Sequence, residues 1–300
     1  MLSQSSWLHL RIPFSYFLLP VYLFSLAISP NLNESRMLWV FVILHVFLYP
    51  ASNGYNSYFD KDEKSIGGLK NPPPVNKGLY FLALLFDLIA LLLGFWKINA
   101  LFVLMLFIYG LISKAYSHPS VRLKKYPILG WIAAGLFQGF FTFIMCYVGI
   151  NNFSIENCWG AHVLIPATLS SLMLWGNYPM TQVYQHEEDA KRGDHTLSLK
   201  LGIRGTFIFT AIVFSIAVAG FIFYFIEFFR IKYAYSFLLA LFPVLGYFLF
   251  WFLKVLKDES KANYSFAMGL NFVSSTCLNI FFIYFFLESS QVLQAIQAGY

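Results

Sequence analysis

Charge is scarce in this chain. Only 11% of its 300 residues are Asp, Glu, Lys or Arg, against roughly a quarter in a typical soluble domain. That scarcity excludes an ordinary soluble fold, because hydrophobic residues reach 59% and fall into blocks of about 20 apolar residues, the length a helix needs to cross a hydrocarbon core. Cysteine is scarce as well. Cys146, Cys158 and Cys277 are scattered without metal-ligand spacing, which excludes a zinc module or a disulfide framework. The positive balance of +6 is distributed as a membrane protein distributes it, and no nucleic-acid partner is expected. The first apolar run follows Arg11 and contains a cleavage-like Ala27-Ile28-Ser29. It is too long for a signal-peptide core and is read as a spanning helix.

Nine spans can be marked, at 12–30, 37–58, 78–96, 98–116, 128–150, 161–186, 206–228, 233–255 and 265–287. The expected fold is all-α, a polytopic bundle forming a single domain over 1–300. Nine spans create flanking segments that alternate between the two sides of the membrane. All of the 20 basic residues except Arg36, Lys97, Arg230 and Lys232 fall on one side. By the positive-inside rule that side is cytoplasmic, with the N-terminus inside and the C-terminus outside.

Acidic residues contribute little to topology, so their clustering needs another cause. Half of the 14 lie after the second and sixth spans: Asp60, Asp62 and Glu63, then Glu187, Glu188, Asp189 and Asp194. Asn56 and Asp60 are one helical turn apart, and Gln185 and Asp189 repeat the spacing. Either turn alone reads as a solvated helix end. Two of the same form point to a divalent cation held between them, and Mg²⁺ prefers carboxylate and amide oxygens completed by phosphate. Between them runs Tyr116-Ser-His-Pro-Ser-Val-Arg122-Leu-Lys124-Lys125, whose cations suit a pyrophosphate. Each half continues into a Gly-bearing basic loop (Ile66-Gly-Gly-Leu-Lys70; Lys191-Arg-Gly-Asp-His195), a weak sign of internal duplication.

These motifs resemble the UbiA superfamily of intramembrane prenyltransferases along nearly the whole chain. Asn56-Ser-Tyr-Phe-Asp60 is similar to the first Asp-rich motif at its Asn and second acid. Glu187 and Asp189, with Arg192-Gly193 and Thr196-Leu197-Ser-Leu-Lys-Leu-Gly202, are similar to the second. Ser57, Lys64 and Gln185 stand where the family carries Asp, and Asn71-Pro72 where it carries Arg-Pro. The resemblance implies transfer of a polyprenyl group from its diphosphate to a lipid-soluble acceptor, most often an aromatic quinone precursor, with Mg²⁺ as cofactor. It implies metal ligation by Asn56, Asp60, Glu63, Glu187 and Asp189, with Gln185 among the catalytic positions. It assigns the diphosphate to Lys70, Tyr116, Arg122, Lys124 and Lys125. A stripe on helix six, Asn177, Gln182, Gln185 and Asp189, is expected to lead a substrate pocket to the metal turn. The expected location is a bacterial-type inner membrane. Asp87, His45, Gln138 and Asn271 are further polar residues within spans, and Asp87 is as readily structural as functional. A transporter or lipid-binding protein on the same fold is the alternative, which Mg²⁺-dependent release of pyrophosphate would discriminate.

Overall fold

A computed structural model describes residues 3–290. The expected C-terminal placement and the tail of the 1–300 domain concern residues outside that range. The regular structure of the described residues is helical, apart from one isolated bridge between Ile66 and Leu69. Among the described residues eight helices are long and apolar enough to span a bilayer: α1 (Gln4–Ala27), α2 (Glu34–Asp60), α3 (Gly78–Lys97), α4 (Ala100–Ser117), α5 (Pro127–Asn151), α8 (Leu197–Phe228), α9 (Ile231–Lys257) and α10 (Tyr264–Ser289). Between α5 and α8 lie α6 (Ala161–Asn177) and the short α7 (His186–Arg192). The apolar α6 falls where the sixth of the nine spans is expected, and the protein is an integral membrane protein.

The sixth expected span, however, ends early. Pro179 has no N–H to give the carbonyl of Trp175, and the chain tightens into a 3₁₀ turn over Tyr178–Thr181. The freed carbonyls find donors on neighbouring helices: Trp131 Nε1 donates to Trp175 O at 2.9 Å, and Thr210 Oγ1 to Gly176 O at 2.9 Å. Pro166 is accommodated similarly, with the Tyr224 hydroxyl donating to His162 O at 3.1 Å. In hydrocarbon each freed backbone group needs such a partner. Two helices also carry a wide π turn, Ile43–Leu48 before Pro50 in α2 and Leu136–Phe141 in α5.

The helices alternate in direction, so α1, α5 and α8 begin, and α2, α4 and α6 end, at one end of the bundle. The opposite end is filled with rings. Phe24 stacks on Phe282 at 4.6 Å and meets Phe143, Phe221 and Tyr224 edge-on or tilted. Outward faces carry residues such as Phe95, Trp96, Leu239 and Phe242, each about three-quarters exposed, which is what lipid contact calls for.

Candidate active site

A cavity of about 260 Å³ opens at the end where both acid-rich turns lie. Helix α2 supplies Ser52, Asn53, Asn56, Ser57 and Asp60, and its last turn closes with Lys61 in the left-handed conformation (φ 50°). Helix α4 supplies Tyr109, Ser113 and Tyr116, and α5 supplies Ala134, Phe137 and Gln138. From the segment after α6 come Tyr178, Gln182 and Gln185, and from α7 onward Asp189, Arg192, Asp194 and Thr196. One end of the cavity is thus ionic, the other aromatic and apolar.

The loop after α2 is held down by the N-terminus. Ser5 donates to Pro74 O at 2.6 Å, Ser6 to Asn76 Oδ1 at 2.9 Å, and His9 Nε2 lies 2.7 Å from Pro73 O. Arg11 donates to Gly67 O at 2.9 Å and to Asn53 O at 3.2 Å, and it lines the cavity. Gly67 lies against the Phe14 ring, where a Cβ would come within 2.6 Å of Phe14 Cζ, and Gly68 takes φ +85°. The second turn is built by Gly193, whose φ of 70° lets the chain reverse after α7. The reversal places the Asp194 N–H on Asp189 O at 2.9 Å, and Thr196 Oγ1 donates to Asp189 Oδ2 at 3.3 Å while capping α8.

Every buried carboxylate of the cavity faces a cation. Lys124 is paired with Asp60, and Arg122 approaches Asp60 Oδ1 at 3.6 Å. Arg122 grips Asp194 with Nε at 2.7 Å and Nη2 at 2.9 Å. Arg192 donates to Asp62 and, at 2.8 Å, to Asp189 Oδ1. Burial pushes the Asp189 carboxyl up to about 6, against the pull of Arg192 and Lys124. For Asp194 burial raises its pKa, but the Arg122 hydrogen bonds and the nearby Lys124 outweigh it and hold the carboxyl below its ordinary value. Among the described residues no three His, Cys, Asp or Glu converge as a ready-made metal cluster. Four buried oxygens of the cavity lining nonetheless lack a hydrogen-bond partner: Ser52 Oγ, Ser57 Oγ, Asp60 Oδ1 and Gln182 Oε1. Asn56 Oδ1 is close by, accepting from Ser117 Oγ at 2.7 Å and Lys124 Nζ at 3.3 Å. This all-oxygen donor set fits a hard cation such as Mg²⁺.

Of the residues expected from sequence, the cavity collects Asn56, Asp60, Tyr116, Lys124, Gln182, Gln185 and Asp189, and Arg122 stands behind them on Asp60 and Asp194. The others lie elsewhere. Glu63, Lys70 and Lys125 are exposed. Glu187 is exposed too, and its pairs with Lys191 and Lys64 hold its carboxyl down at about 2. The expected stripe of helix six is interrupted at Tyr178, and Asn177 donates to Asn271 Oδ1 at 3.0 Å instead of lining the cavity. Asp87 is paired with Lys114, which lies inside α4 and not in the following loop. His45 is held by Ser15 O at 3.1 Å. Arg11, Arg192, Asp194 and Thr196 had not been assigned to the site. The first signal missed was the position of Arg192, three residues after Asp189 and so on the same face of α7. Because Glu187 is a solvent-screened surface pair, Glu187→Gln should change turnover less than about threefold, and a loss above about thirtyfold in a steady-state assay would contradict its placement.

The architecture and the cavity define a polytopic helical membrane protein with a cation- and carboxylate-lined site near one surface, opening onto an apolar interior. The chain belongs to the UbiA prenyltransferase family, whose model matches residues 17–276. A UbiA homolog from Archaeoglobus fulgidus, solved bound to GPP and Mg²⁺, is similar over 94% of this chain and 99% of its own, at 18% identity and a TM-score of 0.67. The same homolog bound to Cd²⁺ aligns at 20% identity over 95% of this chain and 99% of its own, with a TM-score of 0.64. A structure of digeranylgeranylglyceryl phosphate synthase aligns at 20% identity over 95% of this chain and 98% of its own, with a TM-score of 0.58. At these identities the likeness is one of fold. A comparison with curated protein sequences finds no match.

Proposed function

We propose that this protein transfers a polyprenyl group from its diphosphate to a lipid-soluble acceptor of the aromatic, quinone-precursor type, with Mg²⁺ as cofactor. The observation that carries this reading is the meeting of Asp60 and Asp189, from opposite halves of the chain, in one cavity beside Lys124 and Arg192 and below the rings of Tyr109, Phe137 and Tyr178. Asn56 and Asp60 would hold the metal, with Asp189 facing them. Bound there, Mg²⁺ would supply positive charge to the diphosphate oxygens.

In the reaction the C1–O bond of the allylic diphosphate breaks and its electron pair leaves with pyrophosphate. Lys124 and Arg192 lie where that negative charge develops, and fixed cations in a water-poor site stabilise it without reorganising. The allylic cation left behind faces ring π-clouds of Tyr109, Tyr116 and Tyr178, which attract positive charge. The acceptor's electrons form the new carbon–carbon or carbon–oxygen bond, and the acceptor gives up a proton. Apolar walls keep water from capturing the cation first. The basic-residue bias supports placing this end of the bundle at the cytoplasmic face of a bacterial-type inner membrane.

The test is release of pyrophosphate from labelled geranylgeranyl diphosphate by the purified protein in lipid nanodiscs, supplied with a membrane lipid extract. Release that requires Mg²⁺, is abolished by EDTA and moves label into a lipid is expected. Binding of the diphosphate without any release, across donors of different length and acceptor-rich extracts, would overturn the enzymatic reading in favour of carriage or storage of lipid.

A further inference from the structure

The two halves do not offer equivalent metal positions. The buried oxygens without partners include Asp60 Oδ1 and Ser57 Oγ on α2, with Gln182 Oε1 across the cavity. Asp189, the buried carboxylate of the second turn, is already committed: Arg192 Nη2 donates to its Oδ1 at 2.8 Å and Thr196 Oγ1 to its Oδ2 at 3.3 Å. The same guanidinium donates through Nη1 to Asp62, and its Nε faces Asp194 Oδ2 at 3.4 Å. Asp62 follows α2, whereas Asp189 and Asp194 flank the end of α7. A single fixed cation therefore joins the two acid-rich turns, in the place a second bridging ion would take. Nor does the second turn open on a carboxylate. Gln185, at its start, brings a neutral amide whose Nε2 lies 3.4 Å from Ser65 O.

We infer that the site takes one divalent ion, at Asn56 and Asp60, and that Arg192 stands in for a second. The inference rests on the prenyl-diphosphate reading above. A guanidinium can do this because its charge is permanent and its paired N–H groups match the spacing of phosphate oxygens. It differs from a metal in needing no loading, so the second turn is armed at any Mg²⁺ concentration. The balance of the site is consistent with this role. Asp60, Asp62, Asp189 and Asp194 are offset by Arg11, Lys124, Arg192 and Arg122. These charges cancel, so the fixed cations already offset the carboxylates and a divalent ion is what makes the cavity net positive for a diphosphate. Arg192 thus acts both on the diphosphate and as a clasp that keeps Asp62 and Asp189 together.

The test counts ions directly. The full chain in nanodiscs is saturated with an inert diphosphonate analogue of geranylgeranyl diphosphate, and bound Mn²⁺ is measured from the loss of the free-ion EPR signal. The wild type should bind one Mn²⁺ per chain. Arg192→Ala frees Asp62 and Asp189 and should bind two, while Arg192→Lys, which keeps the charge, should remain at one with about tenfold weaker analogue binding. Two ions in the wild type, with analogue bound, overturn this inference alone. One ion in Arg192→Ala also overturns it, since the guanidinium would then not be holding an ion's place. Should Arg192→Ala fail to fold, the wild-type and Arg192→Lys counts decide, one in each supporting the inference and two in either refuting it. A wild type that binds neither Mn²⁺ nor the analogue overturns the functional reading and this inference with it.

Discussion

Asp60→Asn should reduce prenyl transfer by about a thousandfold or more, roughly 4 kcal/mol of transition-state stabilisation. The substitution keeps the size of the side chain and removes only charge, which isolates the cause. Asp60, which lines the cavity, has one oxygen on Lys124 and one with no hydrogen-bond partner, 3.6 Å from Arg122. Losing the carboxylate removes the anchor proposed for Mg²⁺. It also leaves Lys124, itself only 8% exposed, as a buried cation whose nearest compensating group is gone, and removing one partner of such a pair costs about 3–5 kcal/mol. The two consequences separate experimentally. Loss of the anchor shows as weakened Mn²⁺ binding, and the orphaned lysine as a lowered unfolding midpoint. Lys124→Met in the Asp60→Asn background should recover much of the midpoint without recovering transfer. Transfer within tenfold of the wild type in Asp60→Asn would remove Asp60 from the chemistry and, with it, the proposed metal position.

The sequence could show that residues of certain kinds recur at helical spacing, and that was enough for the helices, their alternation and the Asn56/Asp60 pair. It could not show which of two neighbours turns inward. Glu187 and Asp189 sit two positions apart on α7, about 200° around the helix, so one of them must face away; contact with Thr196 and Arg192 decides that it is Glu187. Lys124 and Lys125 are adjacent in a single turn, and only Lys124 meets Asp60. The break after α6 was harder to see, because a proline inside a membrane helix need not end it. What ends it here is long-range. The carbonyls freed around Pro179 are taken by Trp131 and Thr210, from helices distant in sequence. Arg11 was counted for topology alone, although its guanidinium holds the loop that follows Asp60. Residues whose role comes from one distant partner leave no periodicity to read.

Gly139→Val should unfold the bundle or lower its stability by about 3 kcal/mol or more, for a reason equally invisible in the sequence. Gly139 sits in the π turn of α5, pressed against α6. A Cβ there would lie 2.5 Å from both Cα and N of Ser171. These are backbone atoms in the middle of a helix, so no side chain can rotate away and the helices themselves must part. Overpacking alone costs about 1–3 kcal/mol. The parting would also break a local exchange of hydrogen bonds. Ser171 Oγ donates to Gly135 O at 2.8 Å and accepts from Phe140 N at 2.8 Å, which satisfies groups the π turn leaves without their usual helical partners. Losing buried bonds of this kind adds about 1–3 kcal/mol each. Ser171→Ala, which removes the hydroxyl and leaves the close approach intact, should cost only that last share. Thermal unfolding in detergent, followed by the fluorescence of Trp131 and Trp175 beside the contact, would rank the two. The order Gly139→Val well below Ser171→Ala, itself below the wild type, is expected. A wild-type midpoint for Gly139→Val would mean that α5 and α6 do not meet backbone to backbone. The cavity would then lose its frame as well, because α5 carries Phe137 and Gln138 into it and the end of α6 sets where Gln182 and Asp189 begin.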